Sequence, residues 1–221
     1  MNRALVLRLI IKDWYLSRTT LAILAVAGGL SIGLLYVRGG DAGLTGLITS
    51  LMTAIFLSIL LPMGTVVQER KMQNLAFVMS LPISPMEYTA AKVLGNLAAF
   101  LVLWLAITIG VLGTFARAGL GGSIPLALVA AMAPFVAFCL LLAVSIVVES
   151  EMAALVTMGA CNVAYSFWYF LLRIPGLKED LQSPVAIWSQ PILLILAGQI
   201  AVIVGALGLT FYLQSRKTDF I

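Results

Sequence analysis

The sequence predicts an all-α membrane protein, an N-terminal interfacial helix followed by six transmembrane helices with both termini cytosolic. Three observations carry that reading. The 221 residues are 62% hydrophobic and 10% charged, against about 45–50% and about 25% in an average soluble domain. Six apolar runs approach or exceed the roughly 20 residues that a helix needs to cross a bilayer. The basic residues between the runs divide unevenly between the two sides.

Residues 1–19, MNRALVLRLIIKDWYLSRT, are the first element. Basic residues, an apolar stretch and Ala25-Val26-Ala27 give them the outline of a signal peptide. The basic region is long, however, and the apolar run continues past that triplet to Val37, so cleavage is not expected. The segment reads instead as an amphipathic helix in the cytosolic interface. Arg and Lys would snorkel to headgroups, with Trp14 and Tyr15 as anchors. Residues 20–221 then form one six-span domain.

The runs are Thr20–Val37, Leu44–Val67, Val93–Phe115, Ile124–Val148, Met152–Leu172 and Pro191–Leu213. The first is short. The fourth contains Pro134, which should kink or break it. With the N terminus in the cytosol, that side holds Arg3, Arg8, Lys12, Arg18, Arg70, Lys71, Lys92, Arg216 and Lys217. The other side holds Arg38, Arg117, Arg173 and Lys178. Nine against four places both termini inside. Six spans and two cytosolic ends agree with one another.

Several chemistries are excluded. There is no histidine, which removes the commonest general base and metal ligand. Cys139 and Cys161 lie in apolar runs without Cys-x-x-Cys spacing, so no disulfide framework or metal site is indicated. The formal charge of +4 reads as topology signal and not as nucleic-acid binding. No G-x-x-x-x-G-K-[ST] loop is present, so the chain carries no ordinary ATP site. No hydrolase motif is present either, and no cofactor or metal is expected on the chain.

The connector at about 68–92 is the exception to uniform apolarity. Met72, Leu75, Ala76 and Met79 share the i, i+3, i+4, i+7 spacing of one helical face. A short helix from about Glu69 to Ser80 would end at Leu81-Pro82. Ser84 is then a good N-cap, Pro85 suits the first helical position, and Glu87 completes a capping box. A second helix would run from Pro85 through Lys92 into the third span. The result is a rigid elbow. On the residues alone, it could rest in the interface or dock on a partner.

This stretch resembles the signature region of ABC-2 type ABC transporter permeases. The matching residues are Glu69-Arg70, Asn74-Leu75, Leu81-Pro82-Ile83-Ser84, Tyr88 and Lys92, with Gln73-Asn74 where the family tends to have Gly-Thr or Gly-Ser. The plan of an interfacial helix, six spans and short loops is similar too. The resemblance implies that the connector is a coupling helix docking on a separate ATP-binding subunit. Glu69, Arg70, Lys71, Asn74, Leu75 and Met79 would lie at that contact, and Pro82, Ser84, Pro85, Glu87 and Lys92 would form the elbow. It further implies a second permease copy, identical or related, and ATP with magnesium on the partner ATPase. The chain would then be a non-enzymatic transport subunit of the inner or plasma membrane. A haem-exporter type permease is an alternative within that class. A membrane scaffold or ATP-independent facilitator is the alternative outside it.

Inside the spans, Asn162 and Gln199 are the polar residues most costly to expose to lipid, so they should face protein or a wet cavity. They would bond neighbouring helices or line a substrate path. Glu149 and Glu151 fall at the turn between the fourth and fifth spans, as a solvated turn or a second ATPase contact. Small-residue pairs at Gly29/Gly33, Gly110/Gly113 and Gly205/Gly208 suggest close helix packing.

Overall fold

No proline or glycine interrupts the chain between Arg3 and Ala27, and nothing there stops a helix from propagating. The computed structural model describes residues 3–37, 40–71, 84–148, 150–166, 181 and 183–216. Its first element, α1 (Arg3–Tyr36), is one unbroken helix of 34 residues. The boundary expected at Thr20 is therefore not marked by a helix break. At about 50 Å, α1 exceeds the roughly 30 Å hydrocarbon core of a bilayer, so about two fifths of it projects beyond.

The other elements match the apolar runs closely. They are α2 (Gly40–Pro62), a π-helical turn (Met63–Val67), α3 (Gln68–Lys71), α4 (Pro85–Arg117), α5 (Ser123–Val147), α6 (Glu151–Ser166) and α7 (Gln190–Ser215). Among the described residues all regular structure is helical. Among the described residues, five stretches are long and apolar enough to cross a membrane: Leu5–Tyr36, Asp41–Val67, Pro85–Arg117, Ser123–Val147 and Gln190–Ser215. Their outward faces carry exposed Leu, Ile, Val and Phe side chains, such as Ile23, Phe56, Val102 and Val204. Such faces suit contact with lipid. This is a helical membrane protein. The fifth run, expected at Met152–Leu172, corresponds to α6, whose 16 residues span only about 24 Å. Residues 167–172 lie outside the described set.

Helix α1 packs on α2 and α4, and α5 packs on α2, α4, α6 and α7. Gly46 sets the first contact. A Cβ there would lie 2.8 Å from the Leu35 nitrogen and 3.0 Å from the Ser31 oxygen, so only glycine allows this approach. Next to it, Ser50 Oγ donates to Ser31 Oγ at 3.1 Å. Of the small-residue pairs, Gly110 does pack tightly, against Ile32. Gly29, Gly33, Gly205 and Gly208 instead face open space.

The core is aromatic where α4 meets α5. Phe100 stacks on Phe138 with centroids 4.2 Å apart, and Phe135 lies 5.5 Å from Phe100 and 5.2 Å from Trp104. Helix α5 passes through Pro134 without a break. Proline removes one backbone donor from this turn, and three other helices supply donors around it. Gln199 Nε2 donates to Val129 O at 3.1 Å, Trp104 Nε1 to Ala131 O at 2.7 Å, and Tyr165 OH to Ala133 O at 3.5 Å.

Candidate functional site

The start of α4 forms as its sequence predicts. Ser84 caps the helix, Pro85 opens it, and Glu87 N donates to Ser84 Oγ at 3.3 Å while Ser84 N donates to Glu87 Oε2 at 3.2 Å. From that fixed start, Tyr88, Lys92 and Asn96 fall at i, i+4 and i+8, on one face. All three are buried.

The π turn brings a second set of groups to this face. Gln68 N–H donates to Met63 O, five residues back. A π turn holds one residue more than an α turn, which rotates the residues downstream of it by about 100°. Glu69, just beyond it, thereby points to α1 and α4. Helix α1 contributes Lys12, Asp13 and Trp14. The indole of Trp14 donates to Gly95 O at 2.9 Å, which fixes α1 against α4.

Lys92 is the centre of the cluster, with 1% of its surface exposed. Its ammonium donates to Asp13 Oδ2 at 2.8 Å and to Thr65 O at 2.9 Å, and it pairs with Glu69 Oε2. An ammonium has three donors, and these three acceptors use them all. Lys12, partly exposed, pairs with Glu69 Oε1 and lies 3.7 Å from Asp13 Oδ1. Tyr88 OH donates to Glu69 Oε2 at 3.4 Å. Two cations and two anions balance, which makes burial tolerable. Burial pushes the Glu69 carboxyl up, but Lys92 and Lys12 together pull it further down, to below its ordinary value.

A neutral layer lies beneath. Thr65 Oγ1 stands 2.7 Å from both Leu61 O and Asn96 Oδ1, and Asn96 Nδ2 donates to Lys92 O at 2.8 Å. A hydroxyl has one proton, so Thr65 serves one of its two acceptors at a time.

The structure thus unites Glu69 and Lys92 and gives Glu69 a role different from the one expected. Its carboxylate is buried and fully engaged, so it is an internal strut and not an exposed docking group. Arg70 and Lys71 end α3, and their side chains lie outside the described residues. The expected positions Asn74, Leu75, Met79 and Pro82 lie outside them too, as does Glu149. Glu151 is exposed in the first turn of α6. Asn162 and Gln199 do not converge. Asn162 is on the exposed face of α6 with its amide on Met158 O of the same helix, whereas Gln199 reaches α5.

Sequence reasoning missed Lys12, Asp13, Thr65 and Asn96. One signal was available: Asp13 is the sole acid among residues 1–40, and a lone acid among cations beside an apolar run invites a search for its partner.

Two hollows lie deeper in the bundle. One of 340 Å³ is lined by residues of α2, α5, α6 and α7, among them Gln199, Cys161 and Tyr165. The other, of 650 Å³, lies between α2, α4 and α5 and shares Leu51 and Ala130 with the first. Among the described residues no group of histidine, cysteine or acidic side chains could hold a metal ion.

The charge cluster is not arranged for covalent or acid–base chemistry, because every carboxylate in it is held by an ammonium. Its geometry is mechanical: it joins α1, the end of α2 with α3, and the start of α4 at one point. No protein-family model matches this chain, and no curated protein or solved structure matches it either.

Proposed function

We propose that the chain is the membrane-spanning permease subunit of an ATP-driven exporter of the ABC-2 type. It would form half of a translocation path with a second permease copy. A separate ATP-binding subunit, carrying ATP and magnesium, would dock on the cytosolic connector between Glu69 and Lys92. The chain would move cargo and catalyse nothing itself.

One observation carries this reading beyond the resemblance of the stretch. Glu69 and Lys92, the two ends of the connector, meet in a buried ion pair and are tied together to Asp13 and Lys12 of α1. A push on the intervening residues would reach α1, α2 and α4 as a unit. A connector that only rested in the interface would need no such anchorage. The capping box at Ser84 adds a stiff entry into α4.

The test is a native pull-down of the tagged chain, expressed with its flanking genes and extracted in mild detergent. An ABC ATPase at about one copy per chain supports the proposal, and Leu75→Asp should release it while the chain still inserts. Recovery of the chain alone, or with a partner that is no ATPase, rejects coupling and favours a scaffold or facilitator.

A further inference from the structure

Asn162 puts a carboxamide where the bundle faces lipid. Helix α6 starts at Glu151, at the end of the bundle where α5 finishes. Asn162 follows eleven residues later, about 16 Å along the axis. That is about half of a hydrocarbon core of roughly 30 Å. The packing agrees, since the preceding residue, Cys161, lines a hollow with Ala133, Val136 and Ala137 from the middle of α5. The Asn162 side chain is exposed. One amide hydrogen goes to Met158 O at 2.9 Å. The second hydrogen and Oδ1 meet no other residue of the chain. No water is present at that depth to serve them, and an unmet polar group in hydrocarbon costs several kcal/mol. Other carboxamides within the spans are turned inward: Asn96 is buried against Thr65, and Gln199 reaches α5.

Around Asn162 the surface of α6 suits a second helix. Leu155, Gly159, Asn162 and Ser166 recur at i, i+4, i+7 and i+11 and so share one strip. All four are exposed. A Cβ at Gly159 would meet nothing within 4 Å, and a missing side chain there lets another backbone come close.

We propose that a second copy of this chain covers the strip, α6 against α6, with the Asn162 amide of each copy donating to Oδ1 of the other. Complementarity selects this occupant. A carboxamide showing one N–H and one C=O is matched by the same pair reversed. A two-fold axis through the contact sets identical residues face to face, so each amide satisfies the other. Lipid tails offer neither donor nor acceptor, and headgroups lie about 15 Å away on either side. The outward side chains of α7, such as Leu194, Val204 and Leu209, need no such cover in lipid. This contact rests on the proposed pairing of two permease copies and gives that pairing its face.

The experiment uses the full chain in phosphatidylcholine liposomes. Energy transfer between copies bearing a donor or an acceptor dye on a C-terminal tag measures pairing as lipid dilutes the chain. Cysteine cross-linking locates the face, with Cys139→Ala and Cys161→Ala removing the native thiols. On oxidation, Leu155→Cys and Ser166→Cys, both on the strip, should give disulfide-linked dimers. Ala164→Cys, about 200° round α6 from Asn162, and Gly205→Cys on α7 should not. Asn162→Leu should raise the dimer dissociation constant about threefold to thirtyfold, the range of interhelical hydrogen bonds in membranes. Asn162→Gln keeps the carboxamide and should keep most of the affinity. An unchanged dissociation constant in Asn162→Leu overturns the proposal. Cross-links at Ala164→Cys or Gly205→Cys in place of the strip overturn it too, while leaving the pairing intact on another face. Absence of energy transfer in the native chain removes pairing and contact together, and leaves the strip to lipid or to a helix of another sequence.

Discussion

Replacing Lys92 by methionine removes one positive charge while keeping a long apolar stem. In the native chain Lys92 Nζ meets Asp13, Glu69 and the Thr65 carbonyl. After the change, two buried carboxylates share Lys12 alone, and Lys12 stands 3.7 Å from Asp13. Asp13 is then an uncompensated charge with 4% exposure. Breaking a buried pair from one side costs about 3–5 kcal/mol, several times the value of an exposed pair. For a chain of this length each kcal/mol moves the melting point by about 2–4 °C, so a fall of about 6–20 °C is expected. Tryptophan fluorescence on heating in a fixed detergent measures it. The decisive control is Lys92→Met with Asp13→Asn. The double variant leaves one cation and one anion, Lys12 and Glu69, and should regain at least half of the loss. The reasoning is refuted if Lys92→Met costs under about 1 kcal/mol, or if the double variant melts below the single one.

The geometry makes three further outcomes testable. Ser84→Ala removes the side-chain bond at the centre of the capping box and should cost about 1 kcal/mol, read as faster amide exchange in the first turn of α4 and a melting point a few degrees lower. Gly46→Ala drives a Cβ into the backbone of α1 and should destabilise by about 1–3 kcal/mol. In contrast, Gly205→Ala, which meets open space, should be neutral or gain up to about 1 kcal/mol from helix propensity; equal melting shifts for the two would contradict the packing. Glu69 titrates below its ordinary value of 4.5, so its stabilisation is full above 4.5 and is lost as pH falls through the lowered folded-state value. The melting gap between the native chain and Glu69→Gln should be widest at neutral pH and close on acidification. A gap that widens in acid would reverse the sign and sink the assignment.

The parts of the fold legible in the sequence are those that local chemistry decides. Pro85 opens α4 as Ser84-Pro85-Met86-Glu87 predicts, because cap, proline and acid act within one turn. Long apolar runs fix α2, α5 and α7 to within a few residues at most ends. Three features needed the assembled chain. Pro134 reads as a kink or break, yet α5 continues through it, and the indole of Trp104 and the amide of Gln199 arrive from other helices to carbonyls of the same turn. The π turn has no spacing signal, yet it decides which way Glu69 faces. The charge cluster joins residues 57 and 79 positions apart, and no local pattern reports such a pairing.

Why bury four charges where apolar side chains could pack? A hydrophobic replacement of similar volume would often be at least as stable, so stability alone does not account for them. Register does. Apolar helix faces slide past one another with little penalty in a bilayer, since lipid and leucine are equally apolar. A buried ammonium with three fixed acceptors tolerates no such slip. Moving α4 by one turn relative to α1 would separate Lys92 from Asp13 by about 5 Å and strand both charges. The cluster therefore admits one relative position of α1, α3 and α4, and these elements must shift together or break several kcal/mol of pairing. Thr65 belongs to the same lock: its carbonyl accepts from Lys92 at 2.9 Å, and its hydroxyl, placed between Leu61 O and Asn96 Oδ1, ties the π turn at the end of α2 to α4.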